Sequence, residues 1–178
     1  MIGRVFLLGA RQLVTGVVQL PSDVAGVVVG GDLLDFFALA LTTGARKSNV
    51  LAMRFDQVAW TDQGWVWEIP ETKTDEPYKV ALVPKAVEVL ERRPSAYCVW
   101  KPGMTVPNFG GAWVFPSNSK TGHMTDVKTS WTAARKAAGL PHIHIHDLRR
   151  TLGTRMAQNG ATAVQIARAL NHKSLPAT

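Results

Sequence analysis

The hydrophobic period of this chain changes twice, and that change constrains the fold more than any other feature. From Asp32 to Thr43, the residues Leu33, Phe36, Phe37, Ala40 and Leu41 make a broad apolar face at helical spacing, with Asp32 placed to cap it. Between Asp56 and Val83 the pattern becomes that of strands. Val58-Ala59-Trp60, Trp65-Val66-Trp67-Glu68-Ile69 and Tyr78-Lys79-Val80-Ala81-Leu82-Val83 are separated by Asp62-Gln63-Gly64 and Thr74-Asp75-Glu76-Pro77. Pro84 then opens a helix with Ala86, Val87 and Leu90 as its buried set, ending at Arg92-Arg93-Pro94. Helices on both sides of a three-stranded antiparallel meander predict an α+β fold that is mainly α-helical.

Within that frame several polar residues sit where local stability does not ask for them. After Thr43-Gly44 a second helix is predicted from the spacing of Val50 and Met53, and Arg46 stands at its entrance. A cation there opposes the helix dipole. Lys73 lies at the second hairpin turn, where a long flexible cation reaches outward. Residues 95–119 read as a Pro- and Gly-rich loop anchored by Trp100, Phe109, Trp113 and Phe115. Asp126 to Ala138 reads as a helix stopped by Gly139 and Pro141. Another helix follows Asp147, with Leu148, Leu152 and Met156 as its inward stripe, and closes at Asn159-Gly160. Thr162 caps a last helix carrying Val164, Ile166, Ala167 and Leu170. Residues 1–30 hold neither period and read as a poorly defined segment or linker, which leaves 31–178 as one domain.

His146 and Arg149 are three apart, hence neighbours on a helical face, and Arg150 is four after His146. An imidazole moves protons and a guanidinium fork holds anionic oxygens, a combination suited to phosphate. The 20 Lys and Arg against 13 Asp and Glu, a formal charge of +7, point to nucleic acid first and a membrane surface second. Arg11, Asp23 and Asp32 interrupt the apolar stretches, so no membrane span is predicted, and the single cysteine, Cys98, fits a reducing cytoplasm. His142, His144 and His146 alternate and would share one face of a strand, but no Cys or carboxylate completes a zinc set, and no metal or other cofactor is expected.

Four separated pieces are similar, in order and spacing, to one family. Thr43-Gly44-Ala45-Arg46, Glu71-Thr72-Lys73-Thr74, His146-Asp147-Leu148-Arg149-Arg150-Thr151 and Leu170-Asn171-His172-Lys173-Ser174 resemble the catalytic domain of tyrosine recombinases, the phage integrases. Type IB topoisomerases share the catalytic set, but the short basic domain and the prophage-like motifs favour the integrase. The resemblance implies site-specific DNA recombination, in prophage integration or excision, through a phosphotyrosine intermediate. It needs no cofactor. Its partners would be double-stranded DNA and neighbouring protomers of the full-length recombinase. On the family pattern Arg46 and Arg149 grip the phosphate, Lys73 protonates the leaving 5′ oxygen, His146 relays a proton and His172 hydrogen-bonds the scissile phosphate. Arg150 and Lys173 would join Arg46, Lys73 and Arg149 in holding DNA.

Two positions depart from the family. Asn49 stands where many relatives carry an acid, and could hold a neighbouring histidine only by hydrogen bond. Asn171 replaces a usual glycine and tolerates a left-handed turn. The family's nucleophilic tyrosine follows the last histidine by about nine residues, which here falls past Thr178. Tyr78 and Tyr97 are the two tyrosines present, and both read as structural. The expectation is therefore a phosphate-activating domain that lacks its nucleophile, with a DNA-binding remnant or regulator of the same fold as the alternative.

Overall fold

A computed structural model describes residues 31–70, 77–93 and 112–171. Residues 1–30, Lys73, Tyr97, His172, Lys173 and most of the 95–119 loop, with Trp100 and Phe109, lie outside the described residues.

The sequence folds as its period demands. Helix α1 spans Gly31–Thr43, α2 Lys47–Leu51, and a single 3-10 turn covers Phe55–Gln57. Strands β1 (Val58–Thr61), β2 (Gly64–Ile69) and β3 (Tyr78–Ala81) follow, then α3 (Pro84–Arg92), α4 (Lys128–Ala137), α5 (Asp147–Gln158) and α6 (Ala163–Ala169). The strands form one antiparallel sheet in the order β1-β2-β3, with Val58 opposite Trp67 and Ile69 opposite Tyr78. Their alternation sends Trp67, Ile69, Val80 and Leu82 into the core.

Helix α1 is the hub because it is apolar nearly all round, and α2, α3 and α5 all pack on it. Phe36, Phe37 and Leu39 are fully buried, each worth roughly 1.5–3 kcal/mol of burial. Phe37 meets Trp131 of α4 edge-on at 5.2 Å, and Phe36 meets Phe115 at 6.2 Å. Phe115 is thus a core residue, as its place among the loop's aromatic anchors suggested.

Some details differ from the sequence expectation. Met53 is buried but lies beyond the end of α2. In α3 Val89, not Val87, joins Ala86 and Leu90 inside. In α5 Leu148 is buried while Leu152 and Met156 are half-exposed; Arg149 and Thr151 take the inward positions instead. Helix α6 buries none of its residues and Val164 is exposed, although Leu170 just past it is in the core. No described helix is long and apolar enough to cross a membrane.

Candidate functional site

The α1–α2 turn is the floor of the site. The Thr43 hydroxyl donates to the Leu39 carbonyl at 2.6 Å and accepts from the Ala45 N–H at 3.2 Å, which closes α1. Gly44 then turns with φ +63°, and a Cβ there would stand 2.6 Å from a Leu152 methyl and 2.8 Å from one of Leu170. Only glycine meets both demands. Its carbonyl, buried with it, accepts from the Arg149 Nη1 at 2.5 Å, and the Arg149 Nη2 donates to the Leu170 carbonyl. Arg149 thereby ties the α1–α2 turn to the end of α6 while remaining buried, at 5% exposure.

Arg46 is the residue before α2, with extended backbone (φ −66°, ψ 149°), and its side chain makes no cap. It lies near enough to Arg149 for the two like charges to repel. Burial first, and then Arg46, lower the proton affinity of Arg149, opposed by Tyr78. Among the described residues no carboxylate pairs with either arginine. Among the described residues four buried side-chain atoms have no hydrogen-bond partner: Arg46 Nη1, Asn49 Nδ2, Tyr78 Oη and Asn171 Nδ2. Each unpartnered buried polar group costs about 1–3 kcal/mol. All four belong to segments that carry or adjoin the two arginines, so the cost is concentrated in one place.

Tyr78 is the residue that the sequence reading missed as part of this place. It opens β3, and on the alternation of that strand it shares the inward side with Val80 and Leu82. Its hydroxyl lies close enough to Arg149 to raise that group's proton affinity by charge and by hydrogen bonding, yet it reaches no partner at full hydrogen-bond geometry. An inward polar tip at the end of a strand was the available signal. Asn49 makes no hydrogen bond to a histidine among the described residues. Asn171 adopts φ +45°, the left-handed conformation for which asparagine is suited.

His146 stands just before α5 with helical backbone and an exposed side chain, and its carbonyl accepts the Arg149 N–H at 3.2 Å. The imidazole is thus one turn from Arg149, on the solvent side. Arg150 points outward, with one long contact of 3.4 Å to Asp147, whose other oxygen accepts the His144 N–H at 2.9 Å. Residues 141–146 form turns, so the three alternating histidines do not share a strand face. No group of three or more His, Cys, Asp or Glu among the described residues is arranged to hold a metal.

A buried fork with a second arginine beside it, unpaired and edged by unused donors, is built to receive an anion. Comparison with known proteins identifies the family. The chain is 29% identical over 140 residues to the prophage integrase IntF of Escherichia coli (strain K12), covering 78% of this chain and 28% of that protein. It is 31% identical over 126 residues to the integrase of Salmonella phage P22, covering 68% and 31% respectively. The chain therefore spans under a third of the length of these curated relatives. Among solved structures, the XerH site-specific recombinase bound to its difH substrate matches with a TM-score of 0.62 at 17% identity, covering 97% of this chain and 46% of that one. XerA recombinase matches at 0.60 and 20% identity, covering 88% and 55%. The description "Phage integrase family" belongs to the family model that matches residues 32–178. With that match over most of its length, the chain belongs to the phage integrase family.

Proposed function

We propose that residues 31–178 form the phosphate-activating domain of a site-specific recombinase acting on double-stranded DNA in prophage integration or excision. The observation that carries this reading is the pair of neighbouring like-charged forks, the buried Arg149 and the half-buried Arg46, with no carboxylate paired to either among the described residues. Two such forks bind the non-bridging oxygens of a phosphodiester and stabilise the extra charge of the pentacoordinate transition state. In the reaction a tyrosine hydroxyl of the full recombinase attacks phosphorus and gives up its proton, with His146 as relay. The P–O5′ bond breaks, and Lys73 supplies the proton that the departing oxygen takes. His172 hydrogen-bonds the scissile phosphate, and Arg150 and Lys173 add contacts to the backbone. The curated relatives are integrases, and the structural neighbours include a recombinase and a transposon integrase in complex with DNA, which supports the reading.

Titration of a labelled duplex at low and moderate salt tests it. Binding should be weak, indifferent to sequence and steeply salt-dependent, because phosphate contacts release counterions. Salt-insensitive binding, or none at low salt, would overturn the DNA partner. The 178-residue chain should form no covalent adduct with a nicked duplex on a denaturing gel. An adduct when a tyrosine-bearing recombinase protomer is added would mark the pocket as competent, and its absence would favour the DNA-binding remnant or regulator.

A further inference from the structure

We propose that the Tyr78 hydroxyl is a further donor to the bound phosphate, positioning it between Arg46 and Arg149. The inference rests on the reading of those arginines as the anion pocket and adds a residue to it. Three observations support it. The hydroxyl is buried yet unpartnered, so its donor is unused in the free protein. It opens β3 on the side of the sheet that faces the core, where Val80 and Leu82 of the same run need no polar neighbour. Finally, it sits beside the Arg149 guanidinium, close enough to raise its proton affinity, while its own O–H finds no acceptor. A phenol that neighbours a fixed cation and donates to nothing lacks one thing, an acceptor. An anionic oxygen held by Arg149 would supply that acceptor, and O–H to charged oxygen is among the stronger hydrogen bonds.

Tyr78 serves here as donor and not as attacking group. Attack on phosphorus comes in line with the leaving oxygen and from the opposite side. Tyr78 is assigned instead to a non-bridging oxygen, one of the atoms that Arg149 holds, and not to that in-line position.

The test uses inorganic phosphate as the probe on the 178-residue chain at low ionic strength, with tyrosine labelled by 13C at Cζ. Two tyrosine signals are expected, from Tyr78 and Tyr97, and Tyr78→Phe assigns them by deletion. In the wild-type chain the Tyr78 signal should shift as phosphate binds, and in Arg46→Ala it should not. Tyr78→Phe should weaken phosphate binding about tenfold, the loss of one hydrogen bond to a charged group. Its thermal midpoint should equal or exceed the wild type, because the lost hydroxyl had no partner. Phosphate that binds wild type and Arg46→Ala alike would refute the pocket itself. Phosphate lost in Arg46→Ala but bound normally by Tyr78→Phe, with an unmoved Tyr78 signal in wild type, would refute the Tyr78 role and leave the pocket standing. A phosphate ester on Tyr78 found by mass spectrometry after incubation with DNA would also overturn it, since Tyr78 would then be a nucleophile. The wild-type signal carries the test even if a variant folds poorly.

Discussion

Two arginines are buried among the described residues, and they are treated in opposite ways. Arg93, 7% exposed, is saturated: it meets Asp32 and Asp35, donates from Nε to the Val114 carbonyl at 2.9 Å and lies over the Phe115 ring at 4.7 Å. Arg92 closes the same cluster by pairing with Asp35. Arg149, 5% exposed, donates to two carbonyls, has no counter-charge among the described residues, and has a second arginine for a neighbour. Burying an ion costs several kcal/mol in either case. Near Arg93 the protein offsets that cost with its own carboxylates, which pin α1 to the end of α3 and to the 114–115 segment. Around Arg149 it leaves the offset incomplete, and an incoming anion can complete it. A satisfied buried charge is architecture, and an unsatisfied one has room for a ligand.

The largest effect should come from breaking the saturated cluster. Arg93→Met leaves Asp35, whose side chain is 8% exposed, with Arg92 as its one remaining cation among the described residues. Removing one partner of a buried pair costs about 3–5 kcal/mol, and the remaining Arg92 places this case near the low end. Urea denaturation measures it. A loss under about 1 kcal/mol would mean the cluster is as dispensable as a surface pair, and the contrast with Arg149 would collapse.

The opposite sign is expected at Arg46. Arg46→Ala removes an unpartnered buried nitrogen and a like charge beside Arg149, so stability should hold within about 0.5 kcal/mol or rise. Phosphate should raise the wild-type thermal midpoint through binding to the folded state, and should raise that of Arg46→Ala far less. If Arg46→Ala instead destabilised the chain as Arg93→Met does, Arg46 would be structural and the two clusters would be of one kind.

How much of this was legible beforehand follows from what periodicity can express. The sheet and the helices were legible because β-alternation and helical spacing report which face is apolar. Arg46 was legible as a misfit, since a cation before a helix is locally unfavourable. Arg149 was legible as a candidate from its spacing to His146, but not as a buried group. The stripe of Leu148, Leu152 and Met156 drew the inward face elsewhere, and no local rule foretells that a guanidinium will displace it to reach two distant carbonyls. Val164 erred for a related reason: an amphipathic pattern shows that a face can be covered, not that another element reaches it. Tyr78 was hidden by its surroundings, an aromatic in a strand being ordinary core material until its hydroxyl is found without a partner.

A surface pair sets the lower end of the same scale. Lys47, the residue after Arg46, donates to Asp126 at 2.8 Å, joining α2 to the start of α4. The Lys47 hydrogen bond, then the Val127 backbone N–H, hold the Asp126 carboxyl below its ordinary range. A carboxylate whose folded pKa is depressed adds stability above its unfolded pKa and loses it as pH falls through the folded value. Asp126→Asn keeps an oxygen for the Val127 and Lys128 N–H groups but drops the charge. The variant should therefore be slightly less stable than wild type at neutral pH, by less than Arg93→Met, and the gap should close in acid. Thermal midpoints of both chains across that range give the comparison. A gap that persisted unchanged in acid would show that the loss came from the backbone cap and not from the ion pair. A gap as large as that of Arg93→Met would mean that exposure does not weaken a charge pair here, and burial would no longer separate the two arginine clusters from the surface.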